Sequence, residues 1–296
     1  MIMVSYTFKQ FQSEYPDDAA CLAKLMETNY RGTEITCPAC GVEKAKFHPM
    51  TARRAYACQE CGHHIYPCAG TIFHKSSTNL TKWFFAMYLM TSTRHGVAAK
   101  ELERQLGVTY KTAWRMAHEL RKLMASADNR APLSGHVEVD ETVMGGRQNM
   151  DDRYNKGSNK TLVMGMVERD GRIIAGPVPD ALRNTLVPII KENVTLGTVV
   201  STDELSAYFD LSKDYDHHVV NHTKKEYVRG IHHTNTLEGH WSHFKRAVSG
   251  THVHISSKHM WKYVCEFSYR RNHRQSHLGM FNRLVAAFSQ PRLADS

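Results

Sequence analysis

HVEVDETVM, residues 136–144, is the stretch that decides the fold. Val137 and Val139 alternate with polar neighbours at its start, the period of two of a β-strand. Just before it, ASADNRAPLSG (125–135) is small, polar and broken by Pro132, which marks a domain boundary. After it comes a polar, glycine-bearing loop over 145–160. TLVMGMVERDGRIIAGPV (161–178) then reads as a hairpin turning at Asp170-Gly171. A helix around 181–193 leads to TVVSTDEL (198–205), a short buried strand with a polar end, and HHVVNH (217–222) gives one more strand. Helices are expected over roughly 235–247 and 256–272. This order predicts a mixed α/β sheet with helices on its faces.

Two aspartates fall where such a sheet exposes chemistry. Asp140 follows Val137 and Val139, and Asp203 ends the run TVVST. A third acid lies in HTNTLEGHWSHFKRAV, residues 233–248. At helical spacing, Leu237, Trp241, Phe244 and Val248 form a stripe that should pack on the sheet, with Glu238 and Lys245 two turns apart at its rim. Alone, these two are an ordinary solvated pair of charges. Beside Asp140 and Asp203, Glu238 reads as a third carboxylate. Three carboxylates from separate elements suit phosphodiester cleavage with two magnesium ions, because hard Mg²⁺ takes oxygen ligands and two ions clamp the attacking and leaving oxygens. Lys245 could then hold a nearby phosphate as a point charge. Glu141 and Glu204 directly follow the aspartates, and strand alternation should turn them to the opposite face.

Nearer the start, CPACG (Cys37, Cys40) and CQECG (Cys58, Cys61) are separated by 17 residues. Paired CxxC units at that separation fit a tetrahedral four-cysteine zinc site of the structural kind. Gly41 and Gly62 allow the tight turns that aim backbone N–H groups at the sulfurs. Cys21, Cys68 and Cys265 stand alone and read as buried small hydrophobes, with Cys68 near enough to substitute as a ligand. Next, VAAKELERQLGVTYKTAWRMAHELRKL (97–123) carries Ala98, Leu102 and Leu106 at helical spacing, a break at Gly107, and a second helix capped by Thr109. Ala113, Met116, Ala117 and Leu120 form the apolar face of that helix. The pattern is a helix-turn-helix or a packing hairpin. In the first case Tyr110, Lys111 and Arg115 face DNA, and Lys100 and Arg104 reach phosphates.

The chain has 296 residues, 42% hydrophobic and 23% charged, with a net charge of +9 and a pI near 9.2. The basic balance points to an acidic partner, nucleic acid above all. MIMVSYTFKQ lacks the pattern of a signal peptide. The longest apolar run, WFFAMYLM (83–90), is too short to span a bilayer and reads as the buried face of a helix. A cytoplasmic protein without a membrane partner is expected, in which grouped cysteines bind metal. Residues 241–274 hold seven Lys or Arg and one acid, Glu266. That basic stretch, Arg246 included, could line a DNA path with Tyr263 and Tyr269, whereas Trp261 reads as core.

Taken in order, these segments resemble the ISXO-type insertion-sequence transposases of bacteria, members of the DDE superfamily. The resemblance runs from FQSEYPDDAACLAKL through both cysteine knuckles, PCAGTIFHKSSTNLTKWFFAMYLM, the helix pair, VEVDETVMGGR and STDELSAY to HTNTLEGHWSHFKR. It implies a ribonuclease-H-like (retroviral-integrase-type) mixed-sheet catalytic domain over 136–290. An N-terminal helix and zinc ribbon over 1–75 and a helix-turn-helix region over 76–126 precede it. It implies Asp140, Asp203 and Glu238 as ligands of two Mg²⁺ or Mn²⁺ ions, and Lys245 as the basic residue seven positions later. Some members of the group carry asparagine at the third position, so Asn235, one turn before Glu238, is the runner-up. The implied function is binding of terminal inverted repeats, DNA cleavage and strand transfer by at least a dimer. The rivals are a domesticated DNA-binding regulator that no longer cuts and a nuclease of the same fold without strand transfer.

Overall fold

The computed structural model describes residues 6–128, 131–145, 160–221, 228 and 230–289. Most of the expected loop over 145–160 thus lies outside the described residues. The chain divides into two units, Met1–Ala127 with His273–Ser296, and Asp128–Asn272.

In the first unit, helix α1 (Phe8–Glu14) starts with a reciprocal cap: the Thr7 hydroxyl accepts the Gln10 N–H at 3.3 Å, and Gln10 Oε1 accepts the Thr7 N–H at 2.8 Å. Helix α2 (Asp18–Tyr30) follows, and a four-stranded antiparallel sheet comes next. Its strands β1 (Glu34–Ile35), β2 (Ala45–Pro49), β3 (Tyr56–Cys58) and β4 (His64–Ile65) lie in sequence order. Arg54, between β2 and β3, donates to the Ser76 and Thr78 carbonyls at 2.9 Å each and to Asp18 Oδ2 at 3.2 Å. Asp18 in turn accepts the Thr81 N–H at 2.9 Å, at the start of helix α3 (Leu80–Ser92). One ion pair therefore joins sheet, α2 and α3. Trp83, Phe84, Ala86, Met87 and Met90 of α3 are fully buried, as the apolar run requires. Helix α4 (Ala99–Leu106) ends at Gly107, whose φ of 57° is left-handed, and the Thr109 hydroxyl accepts the Thr112 N–H at 3.3 Å to start α5 (Tyr110–Ala127). Of the expected apolar positions, Leu102, Leu106, Ala113, Met116, Ala117 and Leu120 are buried, while Ala98, at the N-cap of α4, is half-buried.

The second unit is a five-stranded mixed sheet. Strands β5 (His136–Met144), β6 (Thr161–Glu168) and β7 (Ile173–Val178) pair antiparallel. Helix α6 (Arg183–Asn193) makes the crossover that a parallel neighbour needs, and β8 (Val199–Thr202) and β9 (Asp216–Val219) then pair parallel beyond β5. The order is β7-β6-β5-β8-β9. Asp170, with φ of 60°, turns the β6–β7 hairpin beside Gly171. Pro177 is tolerated because β7 is an edge strand. Strand β8 is shorter than the expected 198–205, since Asp203 Oδ1 accepts the Leu205 N–H at 3.0 Å and turns the chain into a 3₁₀ helix (Ser206–Lys213). Helices α7 (Asn235–Ala247) and α8 (Ser257–Asn272) complete the unit, joined through a π-helical turn (Val248–His252).

The pleat of β5 divides two cores. Val137 and Val139 pack with Leu186 and Ile190 of α6 and with Tyr208 and Leu211 of the 3₁₀ helix. On the other face, Met144, Val163 and Val167 meet Leu237, Trp241 and Phe244 of α7 and Phe267 of α8. The α7 stripe read from the sequence therefore lies on the sheet, with Val248 packed at its end. Tyr263 and Tyr269 of α8 are buried, and so are Lys262 and the ion-paired Glu266 and Arg270 (2.7 Å). Tyr263 packs on the sheet side of α8 with Met260, Val264 and Phe267, and Tyr269 is buried as well, so neither tyrosine lines a DNA path; Trp261, expected in the core, is half-buried.

Helix α9 (His277–Ala286) differs from expectation. The range expected for one domain, 136–290, parts at Asn272, and α9 belongs to the first unit. The cause is aromatic: the Phe281 ring packs tilted against Tyr6 and Tyr15, with centroids 5.3 and 5.6 Å away, and the Phe288 ring centroid lies 4.8 Å from that of Phe73.

Gly165 of β6 sits opposite Asp140, and a Cβ there would meet the Trp241 ring at 2.6 Å and Leu237 at 3.1 Å. Gly165→Ala should therefore force α7 off the sheet and lower stability by about 1–3 kcal/mol, the usual range for overpacking, as read in urea or thermal unfolding.

Candidate functional site

Glu138 pairs with Ser201 at the end of the parallel β5–β8 register, so Asp140 lies two residues further along β5 and Asp203 two residues further along the neighbouring chain, just past the end of β8. Asp203 is at the carboxyl end of β8, the side on which open α/β sheets present ligands. Helix α7 runs along β5 in the same direction. Its first turn lies at Glu138, Trp241 lies at Asp140, and its last turn lies beside Val143 and Met144. Trp241 Nε1 donates to Asp140 Oδ2 at 3.1 Å, and the Thr234 hydroxyl donates to Glu238 Oε1 at 3.0 Å. Burial first, then the charges of Asp203 and Glu238, push the Asp140 carboxyl up to about 6, against the lowering effect of the Glu141 N–H and Trp241. That coupling places Asp140, Asp203 and Glu238 in one electrostatic neighbourhood. Glu238 and Asn235 are both exposed on the first turns of α7.

Glu141 turns to the other face as alternation requires, where it accepts a hydrogen bond from the Tyr208 hydroxyl. Burial raises it to about 7, with the charges of Asp203 and Asp140 adding to the effect and the Tyr208 bond opposing it. Lys245 and Arg246 are exposed and line an open cavity of about 390 Å³ with Val143, Met144, Ile255 and Met260. The strand that carries Asp140 thus leads directly to the two cations.

Sequence reading passed over two residues here. Glu138, which is completely buried, accepts backbone N–H groups of Thr236 (2.9 Å) and Leu237 (3.2 Å). Its signal was the same alternation: a residue two before Asp140 shares its face. Gly165 was legible only as a gap in an apolar strand, and its reason is the indole above it.

In the first unit, the sulfurs of Cys37, Cys40, Cys58 and Cys61 all lie within 4.8 Å of one another. Among the described residues this is the one group of three or more His, Cys, Asp or Glu drawn together so closely; the three carboxylates of the second unit are not. The two knuckles repeat one backbone design. Gly41 and Gly62 (φ 71° and 73°) return their N–H groups to the Cys37 and Cys58 carbonyls at 3.0 Å each. The N–H groups of Cys40 and Ala39 hold the Cys37 thiol down, to about 6. Cys61 receives an N–H from His63, but burial and its three sulfur neighbours push it up to about 12. Four sulfurs that cannot all ionise together are a donor set made for a soft-tolerant dication, and zinc fits. Cys68 is buried outside the group, and burial raises it to about 11.

The helix pair exposes Tyr110 and Lys111 at the start of α5. Arg115, also exposed, places its guanidinium 5.4 Å from the Trp83 ring centroid and donates to the Ser76 hydroxyl at 3.4 Å. Lys100 and Arg104 pair with Glu103 and Glu101 on their own helix. Trp114, one turn after Tyr110 on the same face, is 37% exposed and stacks on His118, and sequence reading missed it. Purified protein should carry about one zinc per chain, and Cys40→Ser should lose it together with the fold of β1–β4, checked by elemental analysis and circular dichroism.

No helix among the described residues is long and apolar enough to cross a membrane. Residues 132–272 match the ISXO2-like transposase domain, and residues 16–64 match the transposase zinc-ribbon domain. The chain is similar to an uncharacterized protein in transposable element ISH50 of Halobacterium salinarum, 28% identical over 255 residues, or 80% of this chain and 85% of that protein. It is also similar to an uncharacterized transposase-like protein of Haemophilus influenzae, 28% identical over 112 residues, or 36% of this chain and 89% of that one. With both matches in order on one chain, the protein carries a transposase zinc-ribbon domain followed by an ISXO2-like transposase domain.

Proposed function

We propose that the protein binds the terminal inverted repeats of its element, cleaves the DNA at their ends and joins the freed ends to target DNA. In this reading the five-stranded sheet is a ribonuclease-H-like catalytic core. Asp140, Asp203 and Glu238 hold two Mg²⁺ or Mn²⁺ ions, which when bound neutralise charge on the phosphate and polarise it for attack. The observation that carries the reading is the placement of Asp140, half-buried on the central strand with Oδ2 bonded to the Trp241 indole. Raised by burial first and then by the charges of Asp203 and Glu238, it lies among acids from three separate elements, the oxygen donors that suit a hard dication. Trp241 Nε1 fixes Oδ2 of Asp140. Lys245 and Arg246, lining the cavity at the end of β5, grip the DNA backbone beside the site.

Attack by water breaks the bond from phosphorus to the 3′ oxygen and leaves a 3′-hydroxyl and a 5′-phosphate. That hydroxyl then attacks a target phosphodiester, exchanging one P–O bond for another. The α4–α5 pair acts as a helix-turn-helix, with Tyr110, Lys111 and Trp114 facing the groove and Arg115 held between base edge and the Trp83 ring. The zinc ribbon supports that surface, and two or more copies act together, because two ends must meet one target. The reaction belongs in the bacterial cytoplasm, on the nucleoid.

The test is cleavage of DNA carrying the repeats that flank the gene, with Mg²⁺ or Mn²⁺. Wild type should cut at the ends, Asp203→Ala and Glu238→Ala should not, and Asn235→Ala should. Loss with Asn235→Ala and activity with Glu238→Ala would move the third ligand one turn. Tight binding without cutting would favour a regulator, and cutting without joining a nuclease. Lys111→Ala should weaken binding to all sequences alike and reduce the salt slope of log K by about 1, since one phosphate contact is lost.

A further inference from the structure

We propose that Glu138 is a positioning residue: its buried carboxylate fixes where α7 begins, and so holds Glu238 at a set step from Asp140. The proposal rests on the reading of Asp140, Asp203 and Glu238 as metal ligands.

Glu138 has no exposed surface. Its Oε2 accepts the N–H groups of Thr236 at 2.9 Å and Leu237 at 3.2 Å. Its Oε1 accepts the Thr236 hydroxyl at 2.8 Å and faces Arg169 Nη2 at 3.3 Å and His233 Nδ1 at 3.2 Å. Arg169 also donates to the Ile231 carbonyl, which ties the approach to α7 into the same group.

Thr234 occupies the N-cap position of α7, yet its side chain makes no capping bond. The N–H groups that a capping side chain normally serves are those of the second and third helical residues, here Thr236 and Leu237. Glu138 serves both, from a strand 98 residues earlier in the chain. The negative charge also meets the positive end of the helix dipole. The Thr234 hydroxyl is left to donate to Glu238 Oε1 instead. Glu238 directly follows Leu237, and Asp140 lies two residues after Glu138 on the same face of β5. A continuous path of bonds therefore joins Asp140 to Glu238 through Glu138. Because both Glu138 oxygens are filled by protein donors, the residue acts through α7 and not as a ligand itself. Glutamine in its place keeps one acceptor and turns an NH₂ group against one set of donors, so the helix start must shift or lose a bond.

The experiment uses the full chain, comparing wild type, Glu138→Gln and Asp203→Ala. It reads Mn²⁺ binding by electron paramagnetic resonance without DNA, the Mn²⁺ concentration for half-maximal cleavage of repeat-end DNA, and the far-ultraviolet dichroism of each variant. Glu138→Gln should keep its fold and bind Mn²⁺ about 10–100-fold more weakly, the usual cost of losing a residue that orients a metal ligand, and raised Mn²⁺ should restore its cleavage. If wild type binds Mn²⁺, Asp203→Ala does not, and Glu138→Gln matches wild type, positioning by Glu138 is overturned while the metal site stands. A cleavage defect in Glu138→Gln that raised Mn²⁺ leaves unrestored overturns it too. If wild type and Asp203→Ala bind Mn²⁺ alike, the metal reading itself fails and takes the proposal with it. Should Glu138→Gln not fold, Thr236→Val removes only the hydroxyl that donates to Oε1. A several-fold weaker Mn²⁺ affinity would then support the role, and unchanged affinity would overturn it.

Discussion

Taking an ionised carboxylate out of water costs several kcal/mol unless its lone pairs are filled, and the second unit is arranged around one such group. Glu138 is buried on the central strand, and its donors come from α7, from the β6–β7 turn and from the segment ahead of α7. Removing any donor leaves part of that charge uncompensated, so the elements are held in register more firmly than apolar packing alone would hold them. The stripe of Leu237, Trp241 and Phe244 can slide by a fraction of a turn at little cost, because hydrophobic contact is not directional. Hydrogen bonds at 2.9 and 3.2 Å to two named N–H groups cannot. Packing gives α7 its face, and Glu138 gives it its starting point.

The pleat of β5 then distributes the chemistry. Odd-numbered Val137, Val139 and Glu141 face α6 and the 3₁₀ helix, while Glu138, Asp140 and Met144 face α7. Glu141 meets a hydroxyl, from Tyr208, whereas Asp140 meets an indole N–H and the charges of Asp203 and Glu238. Two adjacent acids thus differ in environment because strand geometry separates them. The indole needs Gly165 beneath it, so a missing side chain on β6 permits a hydrogen bond to β5.

What the sequence disclosed follows the range of each interaction. The cysteine knuckles are closed by turns of a few residues, with Gly41 and Gly62 bonded back to Cys37 and Cys58, and local spacing was enough to find them. The helices α6, α7 and α8 and the strands β5 to β7 show their periods within single segments, and their bounds were read closely. The ends of β8 and β9 were not, because Asp203 stops β8 by a side-chain bond that periodicity does not register. Helix α9 was assigned with the sheet since it follows α8 directly, but its place is decided by Phe281 meeting Tyr6 and Tyr15, more than 250 residues earlier in the chain. The aromatic residues of α8 between the basic ones looked like a binding surface, and burial made them core. For Glu138, alternation gave the face but not the role: nothing near it in sequence says that a helix start will need a carboxylate.

The overall charge of +9 and the local acidity of the site oppose each other, and the opposition has a direction. At physiological ionic strength the Debye length is about 8 Å, so a polyanion at a distance responds to the nearest surface charges and not to the sum. Lys245 and Arg246 lie on the surface at the end of β5, whereas Asp140 is recessed under Trp241 and Glu138 is sealed below α7. An approaching phosphate backbone therefore meets the cations before the carboxylates. Asp203 and Glu238, at the strand end and on the helix surface, present acid at the rim, and in the proposed reading dications cover them. In the proposed reading the recess separates two tasks: Lys245 and Arg246 draw the strand in over a range of several ångströms, and the recessed Asp140 acts only on what has already arrived.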